Sequence, residues 1–354
     1  MRAALLLAER GLGRVWPNPA VGCVIVDQAG DVVGRGWTQP GGRPHAETEA
    51  LRMAGDAARG ATAYVTLEPC SHHGKTPPCA DALVAAGIAR CVVALEDPYP
   101  AVNGQGIRRL KDAGIAVEVG LLNSEAAELN RGFLSRVATG RPTATLKLAT
   151  SLDGRIATRS GQSKWITGEA ARAQGHRLRA THDAIMVGSG TAIADDPQLN
   201  CRLPGLEDRS PVRVVMDRRL RLPVESKLVQ SAPNRRTILI TRVGHPAASL
   251  ERYRSHDVEI IEADGIDASL GALGKLGVTR LLVEGGASLA AALIKADRVD
   301  RLHWFRAPGV IGGDGLASIG EIGLDEVSRM TRFERIGQGS AGGDSIEIYR
   351  RKPQ

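Results

Sequence analysis

Four side chains in the first quarter of the sequence have the types and order needed to manage a metal ion and a proton. They are His45 and Glu47 in "HAE", and Cys70 and Cys79 at the two ends of "CSHHGKTPPC". One imidazole and two thiolates suit zinc, which takes nitrogen and sulfur ligands in a tetrahedron. Three protein ligands would leave the fourth position for water, and an open position is what hydrolysis needs. Glu47 would then act as a proton shuttle and not as a ligand. This reading carries a geometric condition, because residues two apart do not share a face of an ideal helix. His45 and Glu47 must therefore sit at a first turn. Cys79, placed at a helix start, is expected to deprotonate more readily than a free thiol. A closed structural site with His72 or His73 as fourth ligand competes with this reading, but leaves Glu47 unexplained. A Cys70–Cys79 disulfide is disfavoured, since five cysteines are an odd and sparse set for a disulfide framework.

Such side chains must be held by regular elements. "VGCVIV", "AYVTLE", "ARCVVALE" and "AVEVG" read as strands, and "HAETEALRMAG" and "CADALVAAG" between them have helical spacing with a glycine after the last turn. Gly140 and Pro142 then interrupt the helical run "SEAAELNRGFLSRV" and precede a new strand, so the boundary is placed near residue 142. The second part repeats the alternation: "TATLKLATS", "AIMVG", "VRVVMD", "TILIT", "VEIIE", "RLLVEGG" and "RLHWFRAP" as strands, "GEAARAQGHRLRA" and "ASLAAALIKA" as helices. Two α/β domains, 1–142 and 143–354, are expected. No repeat, low-complexity tract or heptad series is present.

Composition agrees with a globular chain, 43% hydrophobic and 24% charged. No apolar run reaches the ~18 residues of a membrane span. "MRAALLLAERGLG" reads as an amphipathic first helix and not a leader, which places the protein in the cytoplasm. Charge is uneven: residues 1–142 hold 15 Lys/Arg against 14 Asp/Glu, and 143–354 hold 31 against 25. A basic second half suits anionic ligands, either small phosphates or nucleic acid.

H-x-E followed by P-C-x-x-C is the signature of zinc deaminases that act on bases. Here the cysteines are separated by eight residues. With "PNPAVGCVIV", "TLEPCSHHGKTPPC", "DPYPAVNGQG", "LKLATSLDGRIA", "SKWIT", "ADDPQLNCR" and "LLVEGG" in order, nearly the whole chain closely resembles the bifunctional pyrimidine deaminase/reductase of riboflavin biosynthesis. The resemblance implies a cytidine-deaminase-like three-layer domain followed by a dihydrofolate-reductase-like α/β domain. It implies one Zn2+ in the first and NADPH in the second. Glu47 would be catalytic, and Asn18, His72 and Lys75 would line the deaminase pocket. A lysine is a good point-charge partner for the substrate's phosphate. Tyr99 stands where relatives usually have Asn, and Gly168 where most have Ser.

The dinucleotide fingerprint, a G-x-G-x-x-G between strand and helix, is absent. "LLVEGGASLAAALI" offers another turn, in which free helix N–H groups after two glycines could receive a pyrophosphate. By resemblance, Ala149, Trp165, Thr191, Asp195, Gly286, Ala287 and Ser288 contact NADPH. Lys147, Ser163, Arg179, Leu199, Arg202 and Glu284 surround the substrate, whose open-chain imine accepts hydride at C1. Arg179 and Arg202 make chemical sense as phosphate clamps. Glu284 could alternatively cap the helix that follows it. Arg218, Arg219 and Arg221 in "DRRLRL" read as a solvated turn, and Cys23, Cys91 and Cys201 as packing residues. A small phosphoribosyl pyrimidine substrate, no nucleic-acid or membrane partner, and a homo-oligomer are expected. The alternative, a deaminase of nucleic-acid bases with a basic RNA-binding second domain, meets an aromatic content of only 3%, too sparse for stacking platforms.

Overall fold

The strand that the sequence conceals decides how the first unit is layered. "VVGRGW" forms a strand, β2 (Val32–Trp37), although two glycines hide its pattern. A Cβ on Gly36 would lie 2.1 Å from the carbonyl oxygen of Ala46, so only glycine lets the helix Ala46–Ala54 lie on the sheet at backbone distance. On the other face, a Cβ on Gly22 would lie 1.9 Å from the carbonyl oxygen of Ala4, in the helix Arg2–Ala8. Helices therefore cover both faces of one five-stranded sheet, the three-layer build expected.

The computed structural model describes residues 1–71, 77–99 and 102–352. Contacts divide the chain into Met1–Gly140 and Arg141–Gln354. In the first unit the sheet order is β2-β1-β3-β4-β5, with β1 Gly22–Val26, β3 Thr62–Val65, β4 Arg90–Val93 and β5 Ala116–Val119. β1 is antiparallel to β2 and β3, and β3, β4 and β5 run parallel. β2 and β3 thus point the same way and end at the same edge. His45 follows β2 and Cys70 follows β3, so two distant segments meet there. The core below them joins Cys23, Ile25, Ala63, Val65, Cys91 and Val93 of the sheet to Ala46, Ala50, Ala80 and Leu83 of two helices. Cys23 and Cys91 are indeed packed, each with no exposed surface.

The second unit contains β6 (Thr143–Thr150), β7 (Arg155–Ala157), β8 (Ala184–Gly188), β9 (Val212–Met216), β10 (Thr237–Thr241), β11 (Glu259–Glu262), β12 (Arg280–Glu284), β13 (Arg301–Arg306), β14 (Leu316–Ala317), β15 (Phe333–Ala341) and β16 (Asp344–Arg351). Nine form one sheet, β11-β10-β9-β8-β12-β6-β13-β16-β15, and β14 pairs with β7. From β11 to β13 every pairing is parallel; β16 and β15 add an antiparallel edge. Parallel strands buried on both faces read as continuous apolar runs, and Ile185, Val187, Val215, Leu239 and Leu282 share one core. Gly337 to Gly342 spell G-x-G-x-x-G, but they lie in β15 and its hairpin turn and open no helix. Among the described residues no helix is long and apolar enough to cross a membrane.

Candidate functional site

His45 is the N-cap of the helix Ala46–Ala54, with extended backbone at φ −73°, ψ 162°. The two-residue spacing to Glu47 is therefore not helical, which meets the geometric condition. Cys79 opens the helix Cys79–Ala85 behind Pro78. His45 Nδ1 lies 3.2 Å from Cys79 Sγ and 3.6 Å from Cys70 Sγ. The three donor atoms all fall within 4.8 Å of one another. Zinc bonds of ~2.0 Å to nitrogen and ~2.3 Å to sulfur place tetrahedral N and S ligands roughly 3.5 Å apart. The donor set fits zinc in chemistry and in spacing.

The helix start does favour a thiolate, but not that of its own cysteine. Cys79 N–H donates to Cys70 Sγ at 3.3 Å. Hydrogen bonds from Cys79 and from His45 pull the Cys70 thiol down to about 4, against the opposing effect of burial. The Cys79 thiol is pushed up, first by its hydrogen bond to Cys70, then by burial and the nearby Glu47 carboxylate. The expectation of an acidified Cys79 is corrected on this point: the Cys79 thiol donates to Cys70 and keeps its own proton, so it is the partner that is acidified. Glu47 is 3% exposed. Burial raises its carboxyl to about 7, with the charge of Cys70 adding to the rise and that of His45 opposing it.

A cavity of about 310 Å³ opens over this triad, lined by Asn18, Arg43, His45, Glu47, Cys70, Tyr99, Phe133 and Arg136 among others. Tyr99, the departure from the family pattern, thus faces the same space as Asn18. His72 and Lys75 lie outside the described residues. Two buried groups that sequence reading missed hold the walls. Asn130 clamps both backbone groups of Ala20, at 2.9 and 3.0 Å, and so fixes the segment after Asn18. Glu68, 4% exposed, accepts N–H bonds from Asp97, Gly104, Gly106 and Ile107 at 2.8 to 3.1 Å. The signal for Glu68 was a charged residue closing the buried run "AYVTLE" that carries β3. Its carboxylate ties the loop carrying Tyr99 to the segment carrying Cys70. Glu68→Gln loses acceptor capacity for those four donors, and a buried unsatisfied N–H costs about 1–3 kcal/mol. The expected result is a KM for deamination raised about 10-fold or more with zinc still stoichiometric, measured by ammonia release and metal analysis.

In the second unit β6 and β12 are neighbours, and Lys147 is paired in register with Glu284. Arg179, near the end of the helix Glu169–Ala180, reaches Glu284 through Nε at 2.7 Å and Nη2 at 2.9 Å, while Nη1 donates to the Asn200 carbonyl at 2.8 Å. Lys147 Nζ is 3.7 Å from the same carboxylate. Burial alone would raise the Glu284 carboxyl, but Arg179 and Lys147 outweigh it and hold it at about 2. Glu284 does not cap the following helix; its oxygens are spent on Arg179. Three of the guanidinium's five N–H directions are committed in turn, so Arg179 orients this cluster more than it clamps a phosphate. Arg202 is exposed, with Nη1 on Asn200 Oδ1 at 3.1 Å and its backbone N–H on His176 Nδ1 at 3.3 Å. His176, also missed from sequence, is held down to about 4 by burial and by Arg179 and Arg202. Leu199 is buried at φ +52° in the same loop, Ser163 is half-buried, and Cys201 is buried.

Gly285 and Gly286, both at positive φ, form the turn before the helix Ala287–Lys295. A second cavity, of about 770 Å³, is bounded by Gly286, Ser288 and Thr191. Ala149, Trp165, Asp195 and Ala287 lie outside its lining. Ala149 packs near Phe305, and Trp165 is 74% exposed at φ +68° with the Arg172 guanidinium 4.4 Å over its ring. Burial raises the Asp195 carboxyl. The cavity's other wall holds Arg218, Arg219, Arg221 and Arg242. The "DRRLRL" turn is solvated as expected, yet it also faces this cavity.

Residues 1–95 match the family model of the cytidine and deoxycytidylate deaminase zinc-binding region, and residues 142–341 that of the RibD C-terminal domain. The riboflavin biosynthesis protein RibD of Bacillus amyloliquefaciens is 45% identical over 319 residues, covering 88% of this chain and 85% of that protein. The solved structure of Acinetobacter baumannii RibD superposes with a TM-score of 0.91 at 39% identity, covering 99% of this chain and 98% of the other. A Thermotoga maritima structure described as a diaminohydroxyphosphoribosylaminopyrimidine deaminase/5-amino-6-(5-phosphoribosylamino)uracil reductase gives 0.88 at 36% identity, covering 99% and 97%. With a zinc-binding deaminase region and a reductase domain in one polypeptide, and relatives that match along almost its full length, the chain belongs to the RibD family of riboflavin biosynthesis proteins.

Proposed function

We propose that the first unit hydrolyses the 2-amino group of 2,5-diamino-6-(5-phosphoribosylamino)pyrimidin-4(3H)-one, giving 5-amino-6-(5-phosphoribosylamino)uracil and ammonia. The second unit then reduces the ribosyl side chain to give 5-amino-6-(5-phosphoribitylamino)uracil. The observation that carries this is the zinc donor set of His45, Cys70 and Cys79 with a buried, non-ligating Glu47 beside it at the floor of a cavity. Zinc, when bound there, supplies Lewis-acid activation of water. Glu47, poised at about 7, can take a proton from the attacking water on its carboxylate oxygen. It then returns that proton to the ring nitrogen and carries another to the departing amine. Asn18 and Tyr99 face the ring's space, and His72 and Lys75 are assigned to the phosphoribosyl end.

NADPH, when bound in the second unit, supplies the hydride. Gly286, Ala287, Ser288 and Thr191 would hold its pyrophosphate side, with Ala149, Trp165 and Asp195 toward the nicotinamide. Lys147, Arg179 and Glu284 form a fixed charged wall beside C1 of the open-chain sugar, and Ser163, Leu199 and Arg202 close the substrate side. Arg202, the more available cation, is assigned to the phosphate. We place the enzyme in the cytoplasm as a homo-oligomer, which sedimentation of the purified protein checks.

The test follows ammonia and NADPH together in one vessel with the phosphoribosylated diaminopyrimidine. Ammonia should appear without NADPH, and NADPH should be consumed only after deamination; absence of both signals from zinc-loaded protein overturns the reading. Arg202→Ala should lower kcat/KM for reduction at least about 10-fold, as loss of a charged hydrogen bond does. Ammonia release should continue in that variant, and an equal fall in both activities would remove Arg202 from the reductase site.

A further inference from the structure

The segment after β6 carries Ser163 and Trp165, and a carboxylate fastens each of its ends. At the start, Asp153 Oδ1 accepts the Ser151 hydroxyl at 2.6 Å and the Ile311 N–H at 3.1 Å, and Oδ2 accepts the Gly312 N–H at 2.8 Å. These bonds, that of Ser151 first, hold the Asp153 carboxyl at about 2, so it stays a carboxylate at any working pH. Leu152 N–H donates to the Gly309 carbonyl at 2.7 Å and β7 pairs with β14, which fixes residues 151–157 against the loop after β13. That loop is fixed in turn, because the Gly320 N–H donates to the Ala287 carbonyl at 2.9 Å, beside the glycine turn. At the far end the buried Asp344, which opens β16, accepts the Gly168 N–H at 2.6 Å.

Between these clasps the chain is loosely held. Among the described residues the hydrogen bonds of residues 158–166 are internal, joining Thr158 to Ser160, Gly161 and Gln162. Trp165 is 74% exposed at φ +68°, a backbone state that a bulky residue keeps only where its neighbours impose it. Arg172 is such a neighbour: its Nη1 donates to the Thr167 carbonyl at 2.7 Å while its guanidinium lies 4.4 Å over the indole. Strain of this kind gathers at ligand clamps and switch segments. An exposed cation–π contact is weak enough to be given up for a buried one. Burial raises the Asp195 carboxyl and the charge of Lys164 opposes the rise, so the segment reaches toward the helix that follows β8. It thus extends from the end of β6 in the direction of β8, and the strand between them is β12, which ends at Glu284.

We propose that residues 158–167 form a flap that closes over Glu284 when the reductase site is filled, carrying Ser163 and Trp165 inward, and that Asp153 and Asp344 are positioning residues that fix its two ends. This rests on the reductase reading above and adds a closure that shields hydride transfer from water. The test is acrylamide quenching of tryptophan fluorescence in the intact protein, with Trp165→Phe as the reference that separates Trp165 from Trp16, Trp37 and Trp304. NADP+ and deaminated substrate are added together, a pair that cannot react. Trp165 should be open to acrylamide in the free wild type and shielded in this complex. Asp153→Ala should keep its KM values but lower kcat for reduction about 10- to 100-fold, as a misplacement of about 1 Å does. It should also lose most of the shielding although both ligands bind, whereas a ring covered by ligand alone would stay shielded. Asp153→Asn, which keeps one acceptor oxygen, should fall between the two. A Trp165 equally open in the wild-type complex, or wild-type kcat or shielding in Asp153→Ala, overturns the proposal. Absence of NADPH consumption by the wild type with deaminated substrate would instead sink the reductase reading, since quenching reports on the flap without turnover.

Discussion

Glu47→Gln protein should release ammonia at least about 10²- to 10⁴-fold more slowly than the wild type, the range for loss of a positioned acid–base group. It should still bind one zinc and reduce already deaminated substrate at the wild-type rate. The asymmetry follows from where Glu47 sits. It is buried beside the donor triad but outside it, so its amide keeps the shape and hydrogen-bonding reach while losing the ability to carry a proton at neutral pH. Metal analysis, ammonia release and NADPH oxidation on one preparation check it. Loss of zinc in this variant would make Glu47 a structural group, and loss of both activities would end the assignment of one reaction to each unit.

Glu284→Ala should be the most destabilising single change in the second unit. Its carboxylate holds Arg179 through two hydrogen bonds and Lys147 at 3.7 Å, with side chains only 12% to 21% exposed. Removing one partner strands buried cations, which costs about 3–5 kcal/mol. The pH dependence has a definite sign. A carboxyl held at about 2 in the fold, against an ordinary 4.5, favours folding fully above pH 4.5 and loses that contribution as pH falls toward 2. Urea midpoints of wild type and variant should therefore differ widely at pH 7 and converge below pH 3. A gap that persists at pH 3 would mean that the loss is one of packing and not of charge.

Much of this protein was legible without coordinates. The donor types at His45, Cys70 and Cys79 and the spare acid at Glu47 are chemistry that residue identity carries by itself. The parallel strands β8, β9, β10 and β12 announce themselves because burial on both faces demands apolar runs. β2, β15 and β16 escaped for the opposite reason. β2 gives up side chains so that a helix backbone can approach. β15 is a largely exposed edge strand and β16 beside it is mostly half-buried, so little burial constrains their residues. Which cysteine is the stronger acid depended on the contact between the two thiols, with the Cys79 N–H adding to it. That Glu284 holds Arg179, that Glu68 gathers four N–H groups, and that Arg242 joins the "DRRLRL" arginines are facts of tertiary structure alone. Each depends on segments from 24 to 105 residues apart meeting at one strand edge, and no local pattern records a neighbour that only the folded sheet supplies.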